Sequence, residues 1–295
     1  MKQVAIFVAI LTLGSWAMAQ ASGQTQTPPA PGAAATQAAP GTPAANAAKR
    51  PPQAKTQPEF DAWKAASAGT DGATLEKAAD DFAAKFPDSE LRILLYKGAM
   101  RTYQMANNAE KTEAVGRKVL ALDGDDPEAL FTVAEVIAER TRDSDLDRDQ
   151  RFDEATKMAL KTTQTVDSDL AVPQGTPQEK IDAARALMRS QAYSVIGTIE
   201  YRKENYAGAQ ADLQKSIDAY PSDPDPVVVL RLALALDKQG KYPEALKVAN
   251  RAVELTKETD QVGAYARRER DRLQQLTGGT APAPAAQPQS QPPKN

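Results

Sequence analysis

Residues 226–255 read PVVVLRLALALDKQGKYPEALKVANRAVEL, and this stretch decides the fold. Apolar residues recur at three- and four-residue steps on both sides of a short polar break, which is typical of two amphipathic helices. Asp225 and Pro226 stand where an N-cap and a first helical residue belong, and Gly240 marks a turn. The stretch therefore predicts a helix pair, with residues 227–238 as the first helix and residues 243–255 as the second.

The segment before it has the same organisation. Gly197 and Ala209 are 12 positions apart, as are Ala233 and Ala245. Small residues are expected at these positions because helix axes approach each other closely where helices cross. Together with a short turn and a closing proline, this pattern resembles the tetratricopeptide repeat (TPR) family, whose period is about 34 residues. The resemblance implies an array of helical hairpins with a concave groove lined by the first helix of each pair.

Weaker units lie upstream, in residues 60–87, 91–122 and 127–165. Ala78 and Ala114 are spaced by 36, as are Ala209 and Ala245, which predicts the helix crossings of the first two units. Thr176 is predicted to open a long helix through a capping box, and residues 260–276 are predicted to form a terminal capping helix. We therefore expect an all-α, TPR-type solenoid of four or five helix pairs over residues 59–277.

The composition excludes many kinds of chemistry. The chain of 295 residues has no Cys and no His, so it has no disulfide, Cys nucleophile or His-dependent triad. The usual ligands of zinc, haem and iron–sulfur clusters are missing too. No P-loop, G-x-G-x-x-G or S-x-x-K pattern occurs. We expect a protein that is not an enzyme and needs no cofactor.

The charges are unevenly distributed along the chain. All 39 acidic residues lie in residues 59–277, together with 31 of the 36 basic residues. Nucleic-acid surfaces are usually basic, so an acidic folded segment argues against a nucleic-acid partner. We expect a protein or peptide partner instead.

Both ends of the chain differ from its centre. Residues 1–19 combine Lys2, a short apolar run and an Ala17-Met18-Ala19 cleavage pattern, which predicts a secretory signal peptide. An uncleaved membrane anchor is the alternative, although the apolar run is short for a membrane span. Residues 20–58 and 278–295 are rich in Ala and Pro and are predicted to be disordered. The predicted location is the periplasm or the outside of a bacterial cell, with no membrane span after cleavage.

The TPR resemblance implies that a partner segment binds in the concave groove. Carried onto this sequence, it gives groove candidates from four first helices: Tyr96, Tyr103, Asn107, Phe131, Glu135, Glu139, Gln191, Ser194, Thr198, Tyr201, Arg202, Val227, Leu230, Leu234 and Lys238. Tyr rings provide apolar area and a hydroxyl group, and polar side chains can satisfy a ligand backbone. The alternative is that some of these side chains pack against neighbouring helices.

A second candidate site is the acidic loop of residues 143–154. Oxygen ligands occupy five of the places used in an EF-hand calcium loop: Asp143, Asp145, Asp147, Asp149 and Glu154. Arg148 stands where the sharp turn needs Gly, so a charged, solvated loop is the simpler interpretation. From the sequence we predict an exported scaffold or adaptor that acts in cell-envelope assembly or maintenance. The alternative is a calcium-stabilised or self-assembling structural protein.

Overall fold

A computed structural model describes residues 49–173 and 175–278. The predicted signal peptide (residues 1–19), residues 20–48 of the predicted linker and residues 279–295 of the predicted tail lie outside the described residues.

The described residues form eleven helices and no strand. Ten of them pair in chain order, and the eleventh follows the last pair. The pairs are α1 (Gln57–Ala66) with α2 (Gly72–Lys85), α3 (Arg92–Met105) with α4 (Ala109–Leu122), α5 (Pro127–Arg140) with α6 (Arg148–Asp169), α7 (Gln178–Arg202) with α8 (Tyr206–Ala219), and α9 (Pro226–Lys238) with α10 (Tyr242–Glu254); α11 is Gln261–Leu276. The predicted all-α hairpin solenoid is confirmed, with five pairs.

Polar residues just before the helices explain where several of them begin. Asp126 accepts a hydrogen bond from the Ala129 backbone N–H at 2.9 Å, and Asp225 accepts one from the Val227 N–H at 2.8 Å. Such caps satisfy amide groups that the first helical turn leaves unpaired. The capping box predicted at Thr176 does not form. Its hydroxyl donates to the Pro173 carbonyl at 2.7 Å, and α7 begins without a side-chain cap.

The helix crossings agree with the prediction in the later pairs and differ in the earlier ones. Ala209, Ala233 and Ala245 are fully buried, and a Cβ on Gly197 would lie 2.7 Å from Leu213 Cγ. Ala114, in contrast, is exposed. The close approaches of α4 occur at Gly116 instead, where a Cβ would lie 2.5 Å from a methyl carbon of Val133 on α5 and 3.3 Å from the sulfur of Met100 on α3. The 36-residue spacing that includes Ala114 was therefore misleading in the first half of the array.

Helices pack mainly against their neighbours in sequence, as in a solenoid. In addition, α7 contacts both α5 and α9, and α9 contacts α11. The first helices of the later pairs therefore form a continuous layer. α11 covers the last pair, and its Ala266 and Leu273 are buried in the same apolar cluster as Leu236. None of the helices in the described ranges is long and apolar enough to cross a membrane.

The array begins earlier than the predicted boundary at residue 59. Residues 49–56 run as an extended arm before α1 and are bonded to the body. The Lys49 N–H donates to the Ser168 carbonyl at 2.8 Å, and its side chain pairs with Asp123. Arg50 pairs with Glu90 at 2.7 Å. The basic arm thus crosses the acidic ends of several helices, which explains why it is ordered with them despite its Pro content.

Candidate binding face

The first helices of the second to fifth pairs, α3, α5, α7 and α9, present a surface that we call the first-helix face. At its beginning, charges are buried and paired. Lys97 Nζ lies 2.6 Å from Asp126 and 2.9 Å from Glu128, and Arg101 also binds Glu128. Burial opposes ionisation of Glu128, but the two cations outweigh it and lower its pKa to about 2. This cluster joins α3 to α5.

The charges further along α5 are not paired. Glu135 lies two helical turns after Glu128, and Glu139 one turn beyond it, so all three share one side of the helix. Burial and the nearby Glu139 raise the pKa of Glu135 to about 7, and burial also raises the pKa of Glu139. Among residues 49–173 and 175–278, neither carboxylate has a hydrogen-bond donor or a cation partner. Glu135 remains partly open to solvent while protein surrounds it closely, so it lies in a recess.

The counterpart of this acidic pair lies on α9. The Arg231 guanidinium donates to Thr198 Oγ1 of α7 at 2.7 Å and forms no ion pair with any described residue. Burial lowers its pKa, and Asp225 offsets only part of that effect. The neighbouring Gln191 and Ser194 of α7 are half-buried polar side chains. The first-helix face therefore has two unpaired anions on α5 and one unpaired cation at the junction of α7 and α9.

On the second helices, several charged side chains pair with one another across successive helix pairs. Lys118 of α4 contacts both Glu76 and Asp80 of α2, at 3.1 and 2.9 Å. Arg117 of α4 pairs with Glu154 of α6 at 2.7 Å. Ion pairs of this kind link successive repeats on the second helices, and the charged side chains there that have no ion pair, such as Lys157, Lys247 and Arg251, are exposed to solvent.

Tyr96 and Tyr103 do not belong to the first-helix face, which corrects the sequence-based assignment. Their hydroxyls donate to Asp80 and Glu76 of α2, at 2.8 and 2.9 Å, and both rings are buried. The register predicted for α3 placed these two side chains on the wrong side of the helix. Asn107 is not helical at all. It has a φ of 54° in the turn between α3 and α4, a conformation that Asn tolerates better than most residues.

Arg202 does not line the first-helix face either, because its side chain binds the C-terminal end of α5. Its guanidinium donates to the carbonyls of Ala138 and Thr141, at 2.8 and 2.6 Å, and pairs with Asp143. It thereby satisfies carbonyl groups at the C-terminal end of α5, where a positive charge is favourable. Its plane also lies over the Phe152 ring, 4.8 Å from the centroid. We therefore correct its role from a groove residue to a capping residue.

The apolar candidates fall into two groups. Phe131 and Leu230 are buried in the core, whereas Val227 and Leu234 are half-buried and Lys238 is exposed. Tyr201 is half-buried, with its ring edge-on to Tyr206 at 5.4 Å. The first group belongs to the core, and in the second group Leu234 and Tyr201 also pack against that core while keeping part of their surface exposed.

The acidic loop does not assemble into a metal site. Asp143 pairs with Arg202 at 2.9 Å, and Asp145 accepts the Arg142 N–H at 2.8 Å. Because α6 already begins at Arg148, Asp149 and Glu154 lie on the helix instead of in a loop, and Asp147 is its exposed N-cap residue. No group of three or more Asp or Glu side chains in the described parts of the chain is arranged to hold a metal ion. The structure therefore gives the calcium alternative no support.

Comparisons with known proteins leave the family open. No family model matches this chain, and no curated protein matches it. Among solved structures, it is similar to the assembly chaperone of RpL4 (Acl4), residues 1–338, with 13% identity and a TM-score of 0.33 over 75% of this chain and 99% of that one. A TM-score of this size does not establish a shared fold, so the fold assignment depends on the helices described above.

Sequence reasoning missed four residues of this face: Lys97, Arg101, Glu128 and Arg231. Lys97 and Arg101 were missed for the same reason that Tyr96 and Tyr103 were chosen, since the register carried over from the TPR resemblance placed the wrong side of α3 on this face. Met100 is fully buried opposite α4 and would have placed Lys97 and Arg101 on the correct side. Arg231 sits next to the predicted Leu230, and only its long side chain brings it to Thr198.

Proposed function

We propose that this protein is a non-catalytic scaffold that binds an extended protein segment on its first-helix face. The observation that supports the proposal is a set of charges that have no ionic partner among the described residues: the half-buried Glu135 and Arg231, and the exposed Glu139 beside Glu135. A charge removed from water without a partner destabilises the folded state. A bound segment that supplies the missing partners would recover that free energy, so a binding role explains why the charges are there.

The proposal can be tested with a random twelve-residue peptide library displayed on phage and selected on the immobilised full-length chain. Affinities of the enriched peptides are then measured by fluorescence anisotropy. Ser194→Arg places a long side chain in the middle of the first-helix face, on α7. Ala211→Arg makes a similar change at an exposed position of α8, in the same helix pair.

We expect Ser194→Arg to weaken binding at least tenfold and Ala211→Arg to change it less than twofold. Circular dichroism at 222 nm checks that both variants keep their helical content. Equal affinities for the two variants, or a selection that enriches no peptide, would refute the proposed function.

We further propose that the scaffold works outside the cytoplasm, in the envelope of a bacterial cell. The signal-peptide pattern of residues 1–19 supports this location, and the absence of Cys is compatible with it. Mass spectrometry of the protein from envelope extracts should find a mature N-terminus at Gln20. An N-terminus at Met1 would contradict cleavage.

A further inference from the structure

The unpaired charges also indicate what kind of segment binds, if the proposed function holds. Glu135 and Glu139 are four residues apart on α5, which places their Cβ atoms about 5–6 Å from each other. Two ionised carboxylates at this separation repel each other, and burial of Glu135 together with the charge of the exposed Glu139 raises the pKa of Glu135. A single ammonium or guanidinium group lying between them would pair with both.

Three arginines near this pair have other partners. Arg101 is bound to Glu128, and Arg202 is bound to the end of α5 and to Asp143. Arg140, next to Glu139 in sequence, lies 3.9 Å from Glu113 of α4. None of these three arginines pairs with Glu135 or Glu139 in the structure, so the acidic pair is open to a cation supplied by a bound segment.

Arg231 is likewise a charge without an ionic partner among the described residues, but its charge is positive. Asp225 caps α9 by accepting the Val227 N–H, and Asp237 pairs with Arg272 of α11. Thr198 contributes only a neutral hydroxyl oxygen. Arg231 thus has donors left for a carboxylate, which it could bind in a bidentate manner.

The helix spacing sets the distance between the two sites. Arg231 reaches Thr198 on α7, and α7 packs directly against α5, so one interhelical distance of about 8–10 Å separates the two sites. An extended chain advances about 3.3 Å per residue and covers this distance in roughly three residues.

We infer that the bound segment is an extended peptide carrying a Lys or Arg that lies between Glu135 and Glu139 and, about three residues away, an Asp or Glu that binds Arg231. An extended chain crosses α5, α7 and α9 in this arrangement. The chemistry of the partner is therefore a mixed-charge protein segment with a fixed order of charges, not a uniformly acidic or basic one.

The test uses the peptides enriched in the phage selection. In the enriched set, a basic and an acidic residue should recur about three positions apart in one order. Replacing the peptide's basic residue by Gln should weaken binding to the wild-type chain at least tenfold. The same replacement should change the affinity for the Glu135→Gln/Glu139→Gln variant less than twofold, because neutral amides already stand in place of the two carboxylates.

A peptide of the same composition with the two charges exchanged should bind at least tenfold more weakly to the wild-type chain, and this control does not depend on how any protein variant folds. If enriched peptides lose affinity for Ser194→Arg but tolerate loss or exchange of their charges, the inference is wrong while the proposed function stands. If they are indifferent to Ser194→Arg, the proposed function fails and the inference with it.

Discussion

Replacing Glu135 by Gln should stabilise the protein at high pH. The folded-state pKa of Glu135 is about 7, above its ordinary value of 4.5, because burial and Glu139 disfavour the charged form. A carboxyl group whose pKa rises on folding destabilises the native state once it ionises. The penalty is small at pH 4.5, grows as the pH rises, and is complete above pH 7.

The size of the effect follows from the pKa difference. At about 1.4 kcal/mol per pKa unit, the difference between 4.5 and about 7 gives an upper limit of about 3 kcal/mol at pH 8. Because the side chain keeps some contact with water, we expect a gain of about 1–2 kcal/mol for Glu135→Gln. Glu and Gln have similar helix propensities, so the substitution itself adds little.

The assay is urea denaturation followed by circular dichroism at 222 nm, at several values between pH 4.5 and pH 8. The difference in the free energy of unfolding between Glu135→Gln and wild type should be near zero at pH 4.5 and reach its maximum above pH 7. Glu258→Gln, at an exposed loop position, serves as the control and should show no such pH dependence. A difference that is the same at every pH, or a destabilised variant at pH 8, would refute the reasoning.

Four further predictions concern the fold and the rejected metal site. Lys97→Ala removes the cation that pairs with the buried Asp126 and Glu128 and should lower the free energy of unfolding by about 3 kcal/mol. Lys77→Ala, at an exposed position, should leave the free energy of unfolding unchanged. Urea denaturation measures both, and equal effects would contradict the buried cluster. Because the pKa of Glu128 is lowered, the stability it provides should be present above pH 4.5 and be lost as the pH falls toward 2. Gly197→Ala brings a Cβ to 2.7 Å from Leu213 and should destabilise the folded state by about 1–3 kcal/mol. The Cβ of Gly98→Ala meets nothing within 4 Å, so this variant should be stabilised by about 0.5–1 kcal/mol. If thermal unfolding gives the same sign for both variants, the helix crossing at Gly197 is not tight. Millimolar calcium should not raise the melting temperature, because the acidic side chains of residues 143–154 do not converge on one point. A rise in the melting temperature that Asp143→Asn/Asp145→Asn abolishes would restore the calcium hypothesis.

Much of the fold could be predicted because the later repeats follow local rules. The spacing from Gly197 to Ala209 and from Ala233 to Ala245 reflects two crossings of the same geometry, and both are close-packed. The first pairs use larger residues at the equivalent places, such as Met100, and their crossings could not be recognised from small residues alone.

The candidate site was predictable only where the register was secure. Phe131, Glu135 and Glu139 were predicted together because they are four residues apart on one side of α5, but Phe131 is buried in the core, whereas Glu135 is half-buried and Glu139 exposed. Arg202 was misassigned because its role depends on the end of α5, which lies some 60 residues earlier in the sequence and is brought close only by the packing of α5 on α7. Charge pairing between distant helices has no sequence period, and so the decisive distinction between paired and unpaired charges needed the structure.

The most direct test of the central claim is to locate a bound segment on the protein. An enriched peptide carrying benzoylphenylalanine at its centre is photocrosslinked to the full-length chain, and mass spectrometry identifies the residues to which it is joined. The account predicts crosslinks on the first helices α5, α7 and α9, around Glu135, Ser194 and Leu234. Crosslinks confined to the second helices α4, α6 and α8 would contradict it.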